Sequence, residues 1–264
     1  MLQQRIISAT VLVGVILAAI FWQWFFNLAI IFFITLGLYE FFTILERKGI
    51  SVYKYVGIGI GVLIALSVTF RFEPTKGWEF LFIVLALLFL FLMQFRRREN
   101  SGVTVGISTT LFGILYVSWF LSFLIKIRYL ANGAGLLAAV LLITKLGDIG
   151  AYLIGSRFGR TPLIPRISPK KSVEGALAGL VFSILGALAS KPFLNLSYAH
   201  LVVIGMGLGI LGQLGDLSES LIKRDCQVKD SGNILPGMGG ILDEVDSLLF
   251  TAPVFYFYIS SLTR

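Results

Sequence analysis

Apolar residues dominate this chain in runs of about 20, the length an α-helix needs to cross a bilayer. Short stretches rich in Lys, Arg, Gly and Pro separate them. Nine runs are read as helices over residues 5–22, 24–45, 54–70, 78–95, 103–125, 131–154, 169–190, 198–221 and 245–262. A soluble core does not need repeated unbroken runs of this length. The pattern predicts an all-α fold, a polytopic integral membrane bundle of about nine transmembrane helices. The first two runs meet in a very short turn near Trp22 and Trp24, aromatics that favour the membrane interface. The first run has no A-x-A cleavage site and a second apolar run follows at once, so it reads as a retained helix.

The pattern divides the chain in two. Over residues 1–130 few charges fall inside the runs; Glu40 and Glu46 near the end of the second are the exceptions. This part reads as transmembrane scaffold, or as the contact face of a homodimer. Residues 131–264 hold nearly all the intramembrane charge, and read as a catalytic transmembrane region with cytoplasmic loops. Lys and Arg set the orientation. The N-terminus and the loops after the second, fourth, sixth and eighth runs hold fifteen, and the opposite side holds six. This bias puts the charged loops, and with them the active site, on the cytoplasmic face of a multi-pass protein of the cell inner membrane.

Composition sharpens this picture. Hydrophobic residues make up 57% and charged residues 14%, against about 25% charged in soluble domains. The net charge of +8 is mostly topological and suits an anionic leaflet or anionic substrates. Nucleic acid is not an expected partner, because the basic residues are scattered over loops rather than gathered in a stripe. The single cysteine, Cys226, excludes an intramolecular disulfide and any multi-cysteine metal site. The single histidine, His200, leaves no credible Ser/His/Asp triad. Gly207, Gly209 and Gly212 match a dinucleotide-binding spacing, but they lie inside an apolar run with no preceding strand. Small residues there suit close helix packing.

Three constellations carry candidate chemistry. Lys145 and Asp148, three apart on a helix, can face the same way. They form either a self-neutralising pair or a carboxylate facing a polar cavity. Ser168 and Pro169 read as the N-cap and first residue of the seventh helix. Lys170 and Lys171 would then fall in its first turn, where a cation opposes the dipole unless an anion binds there. The third runs from Ser218 to Ser247 and holds six acids and three bases around a Gly-rich turn. Asp216, Glu219, Ser220 and Lys223 share one helical face, and Asp243, Asp246 and Ser247 another. Between them the glycines of 229–240 can bare backbone N–H groups for an anion. Carboxylates on two helices beside a phosphate site suit Mg2+, which takes one or two protein carboxylates plus phosphate oxygens. Mn2+ is the alternative ion.

At these residues the chain resembles the phosphatidate cytidylyltransferase (CDP-diglyceride synthase) family. The positions that match the family signature are Ser220, Lys223, Arg224, Lys229, Asp230, Gly232, Leu235, Pro236, Gly239, Gly240, Asp243 and Asp246. Asp148, Tyr152, Ser168, Pro169, Lys170, Lys171, Glu174 and Gly175 resemble a second shared region. Met238 stands where the signature has histidine and Glu244 where it has arginine, so roles at those two positions do not carry over. The resemblance implies a membrane-embedded nucleotidyltransferase. It would convert CTP and phosphatidate to CDP-diacylglycerol and pyrophosphate by metal-assisted attack of the lipid phosphate on the α-phosphorus. It implies Asp246, Asp243, Lys223 and Lys229 as catalytic. Ser168, Lys170, Lys171, Ser220, Arg224, Asp230, Gly239, Gly240 and Asp148 would bind substrate, and Asp246, Asp243, Asp216 and Glu219 the metal. Two rivals remain at this level: a CTP-dependent transferase for an isoprenoid lipid, and a cation-coupled transporter. No internal repeat of the kind transporters often carry is visible.

Overall fold

The computed structural model describes residues 14, 22–72, 78–96, 101–234 and 239–262. The predicted run over 5–22 and the signature residues Leu235, Pro236 and Met238 lie outside them, apart from residues 14 and 22. In chain order the helices are α1 (Gln23–Arg47), α2 (Lys54–Thr69), α3 (Trp78–Phe95) and α4 (Val103–Tyr129), followed by α5 (Gly133–Phe158). A hairpin of β1 (Pro162–Ile164) and β2 (Ser168–Ser172) leads to α6 (Val173–Ala189), a single turn α7 (Lys191–Leu194), α8 (Tyr198–Asp225) and α9 (Ile241–Leu262). Among the described residues α1, α4, α5, α8 and α9 are long and apolar enough to cross a membrane, and α2, α6 and most of α3 are shorter apolar helices. The chain is thus an all-α membrane protein, with one small hairpin among the described residues. The predicted count of nine crossing helices is not reached among the described residues.

The helices fall into two compact units. The first takes its described residues from Met1–Ile125 and Cys226–Leu242. On α1, Ile30, Ile34, Leu38, Phe41, Phe42 and Leu45 recur every three or four residues and are buried, as one face of a 3.6-residue helix requires. α2 answers with glycine: a Cβ at Gly57 would stand 2.7 Å from the Phe42 ring, so the bare backbone lets the two helices close. α4 departs from α-geometry over Ile114–Trp119, where it winds as a π-helix. Tyr116 on that segment stacks on Phe112 at 5.3 Å. Ser118 donates to the carbonyl of Gly61 at 2.6 Å and fastens α4 to α2.

The second unit comprises Lys126–Asp225 and Asp243–Arg264, described to residue 262. α5 and α6 lie backbone to backbone. A Cβ at Gly155 would stand 3.2 Å from the Cα of Gly175, and one at Gly179 would stand 3.0 Å from the carbonyl of Gly147. With no aqueous driving force between helices in lipid, small residues give this packing its van der Waals contact. α8 joins them, and Gln213 donates to the carbonyl of Ala176 at 2.9 Å.

The hairpin corrects one sequence expectation. Ser168 and Pro169 do not open the seventh helix. They lie on β2, which pairs antiparallel with β1, with Pro162 opposite Ser172 and Ile164 opposite Ser168. The helix begins four residues later. Ser172 is its N-cap, in extended geometry, and accepts from the Gly175 N–H at 3.1 Å. Glu174 reaches back to the N–H groups of Arg160 at 3.1 Å and Thr161 at 3.2 Å, and so closes the loop onto the first turn. Lys170 and Lys171 therefore sit on a strand, where no helix dipole opposes them.

Candidate active site

α8 presents Asp216, Glu219, Ser220 and Lys223 at its C-terminal end, the stripe their spacing predicts. α9 presents Asp243, Glu244, Asp246 and Ser247 within its first two turns. The two helices can meet because position 215 is glycine: any Cβ there would strike the carbonyl of Asp246. Gly215→Val is therefore expected to destabilise the second unit by about 1–3 kcal/mol, the usual cost of overpacking. A thermal midpoint in detergent unchanged from wild type would contradict so close an approach.

Asp148, Asp216, Glu219 and Asp243 each meet a lysine. Lys223 stands between Glu219 and Asp243, pairing with the first on its own helix and with the second at 2.5 Å. Lys171 of β2 pairs with Asp216 at 2.6 Å. Lys145 of α5 pairs with Asp148 at 3.3 Å and donates to the carbonyl of Glu244 at 2.9 Å. Ser247 donates to Asp148 at 3.0 Å, tying α9 to α5. Asp246 is 8% exposed, and one of its oxygens accepts the Ser247 N–H at 2.5 Å. Asp246 also faces the charges of Asp216, Glu219 and Asp148, with Lys145 opposing them. A buried carboxylate ringed by others costs energy unless cations balance it, and Lys145, Lys171 and Lys223 supply that balance. Glu244, where the signature has arginine, faces the charge of Lys145.

The second unit thus brings together Asp148, Lys171, Asp216, Glu219, Lys223, Asp243 and Asp246. Ser220 is buried on the same helix, and Ser168 and Lys170 lie on β2, with Lys170 exposed. Arg224 donates to the carbonyl of Ile167 at 3.1 Å, anchoring the end of α8 to the hairpin. Lys229 and Asp230 are exposed and, with Gly239 and Gly240, belong to the first unit. Lys145 and Ser247 were not among the assigned site residues, although Ser247 lay on the predicted α9 stripe and Lys145 beside Asp148. Glu40, one of the two charges that stand out in the second apolar run, lies in the first unit; a carboxylate within an apolar run seldom lacks a purpose.

The donor set is all hard oxygen, which suits Mg2+ or Mn2+ rather than softer metals. Among the described residues no three His, Cys, Asp or Glu side chains gather closely enough to hold a metal ion by themselves. Mg2+ ordinarily needs only one or two carboxylates and completes its shell with phosphate oxygens and water, so the residues fit it. Interleaved lysines and carboxylates can exchange partners: a polyphosphate takes over the lysines, and the carboxylates become free for a cation.

Comparison with known sequences gives a consistent answer. The profile of the cytidylyltransferase family matches residues 3–262. A phosphatidate cytidylyltransferase of Synechocystis is 35% identical over 97% of this chain and 96% of its own length. Proteins of the same name from Bacillus subtilis and Thermotoga maritima are 41% and 38% identical over 55% and 60% of this chain, and over 55% and 61% of their own lengths. Apart from the Synechocystis protein, the chain spans about half the length of most of the curated relatives it matches.

Proposed function

The chain belongs to the cytidylyltransferase family, and on that premise we propose that it transfers the cytidylyl group of CTP to phosphatidate, forming CDP-diacylglycerol and pyrophosphate. The observation that carries this reading is the cluster of lysines and carboxylates on α5, β2, α8 and α9. A phosphate oxygen of the lipid attacks the α-phosphorus of CTP, and the bond from that phosphorus to the β-bridging oxygen breaks. Both reactants and the departing pyrophosphate are anions. Such a reaction needs in-line positioning and charge neutralisation more than a protein nucleophile. Lys171 and Lys223 exchange carboxylates for phosphate oxygens, and Lys170 and Arg224 of the same unit add positive charge; Lys229, in the first unit, is the further catalytic cation that the resemblance implies. Ser168, Ser220 and Asp148 orient the substrates within the second unit, and the resemblance implies the same role for Asp230, Gly239 and Gly240 of the first. One or two of Asp246, Asp243, Asp216 and Glu219 would hold Mg2+ or Mn2+, which when bound would neutralise the triphosphate and the leaving group. Residues 131–264 form the working region in this reading, and 1–130 the scaffold or a homodimer contact. The excess of Lys and Arg on the loops supports an inner-membrane location with the site open to the cytoplasm.

The test is nucleotide transfer by purified protein. CDP-diacylglycerol and pyrophosphate should form from CTP only when phosphatidate and Mg2+ are both present, and chelation should abolish the product. Transfer to an isoprenoid lipid but not to phosphatidate would overturn the substrate. No consumption of CTP with either lipid would overturn the reaction.

A further inference from the structure

In the first unit α1 carries one carboxylate into an apolar interior. Glu40 is 3% exposed, and a buried carboxylate is tolerable only when donors meet its oxygens. Its Oε1 accepts the N–H of Ile241 at 3.1 Å, and its Oε2 accepts the N–H of Leu242 at 2.9 Å and the hydroxyl of Ser231 at 3.2 Å. Ile241 and Leu242 are the first two residues of α9. The first N–H groups of a helix have no acceptor within it, and they form the positive end of its dipole. Usually a side chain just before the helix caps them. Here that residue is Gly240, which has none. The cap comes instead from a helix two hundred positions earlier in the chain.

The arrangement also explains two signature glycines. A Cβ at Gly232 would strike the Glu40 carboxylate, and one at Gly240 would strike both Ser231 and Glu40. The loop closes around this carboxylate only where side chains are missing.

We propose that Glu40 is a positioning residue: it fixes the start of α9 and hence the rotation at which the same helix presents Asp243 and Asp246 in its next residues. Its kinetic consequence rests on the transfer reaction proposed above. Glu40→Gln keeps the size but sets an amide donor against one of the helix N–H donors. In Glu40→Gln, kcat for CTP-dependent transfer to phosphatidate should fall roughly 10-fold or more, the scale seen when the support of a site residue is removed. KM for CTP should stay within roughly two-fold, because no substrate is touched, and that distinguishes positioning from binding. Hydrogen exchange at Ile241 and Leu242 should quicken while α2 and α3 keep their protection. Glu40→Asp, which keeps both acceptors on a shorter arm, should recover part of both losses.

Wild-type kcat in Glu40→Gln overturns the proposal, whether or not exchange quickens. So does an exchange increase spread evenly over the first unit with kcat per folded molecule unchanged, since that is a purely structural effect. If the wild-type protein transfers no cytidylyl group to phosphatidate, the reaction is wrong. The exchange measurement then still decides whether Glu40 fixes the start of α9, and unaltered exchange at 241–242 overturns that as well.

Discussion

Asp246→Asn is expected to cut CTP-dependent transfer to phosphatidate by at least ~100-fold at saturating Mg2+, the scale on which a site loses a key charge or its support. The substitution keeps the shape of the side chain, and an amide oxygen can still accept the Ser247 N–H that one Asp246 oxygen now accepts at 2.5 Å. What it removes is one negative charge from a group that faces Asp216, Glu219 and Asp148. Relief of that repulsion should leave folding intact or strengthen it. The expected signature is therefore a protein at least as heat-stable as wild type with almost no turnover. Near-normal turnover would show that another carboxylate carries the chemistry.

Lys223→Met should fail in a different way. Lys223 is the cation shared by Glu219 and Asp243, and the three side chains are 11%, 1% and 12% exposed. Removing one partner of a buried ion pair leaves uncompensated charge and typically costs about 3–5 kcal/mol; here two carboxylates would be stranded. Turnover should be lost along with stability. The double variant Lys223→Met/Glu219→Gln separates the two effects. Removing one of the stranded charges should restore part of the lost stability, read from the unfolding midpoint. Turnover should not return if Lys223 binds phosphate as proposed, because that cation is still missing. A double variant that regains activity would make Lys223 a purely structural residue.

The candidate cluster was legible in the sequence where local geometry alone decides it. Asp216, Glu219 and Lys223 fall on one helical face by spacing, and any helix over 198–225 must carry them together. Lys145 with Asp148, and Asp243 with Asp246, were legible for the same reason. Helix ends were less so. α8 runs on to Asp225 and α9 begins at Ile241 rather than 245, because charged turns that seemed to mark the end of an apolar run are stabilised by cross-helix pairs. The start of α6 was misplaced because Ser168 and Ser172 both qualify as caps. The choice falls to strand pairing with Pro162–Ile164, which local propensity does not contain. Glu40 was visible as an anomaly, but its partners stand about two hundred positions away, beyond any periodicity argument.

The glycine contact between α5 and α6 has a consequence for reading mutational scans. At Gly155, Gly175 and Gly179 the nearest atom is backbone of the facing helix, and at Gly147 it is the Ser183 hydroxyl, so none has room for a side chain. In a saturation library scored by growth or activity, these positions should reject nearly every replacement, in a four-residue rhythm resembling the intolerance of the charged cluster. No charged side chain is among the atoms that a Cβ at these positions would meet first. An intolerance map alone would therefore draw the active site too large and extend it along α5 and α6. Scoring the same library for protein abundance would separate the two groups: glycine variants should vanish from the membrane, whereas Asp246 variants should persist there without activity.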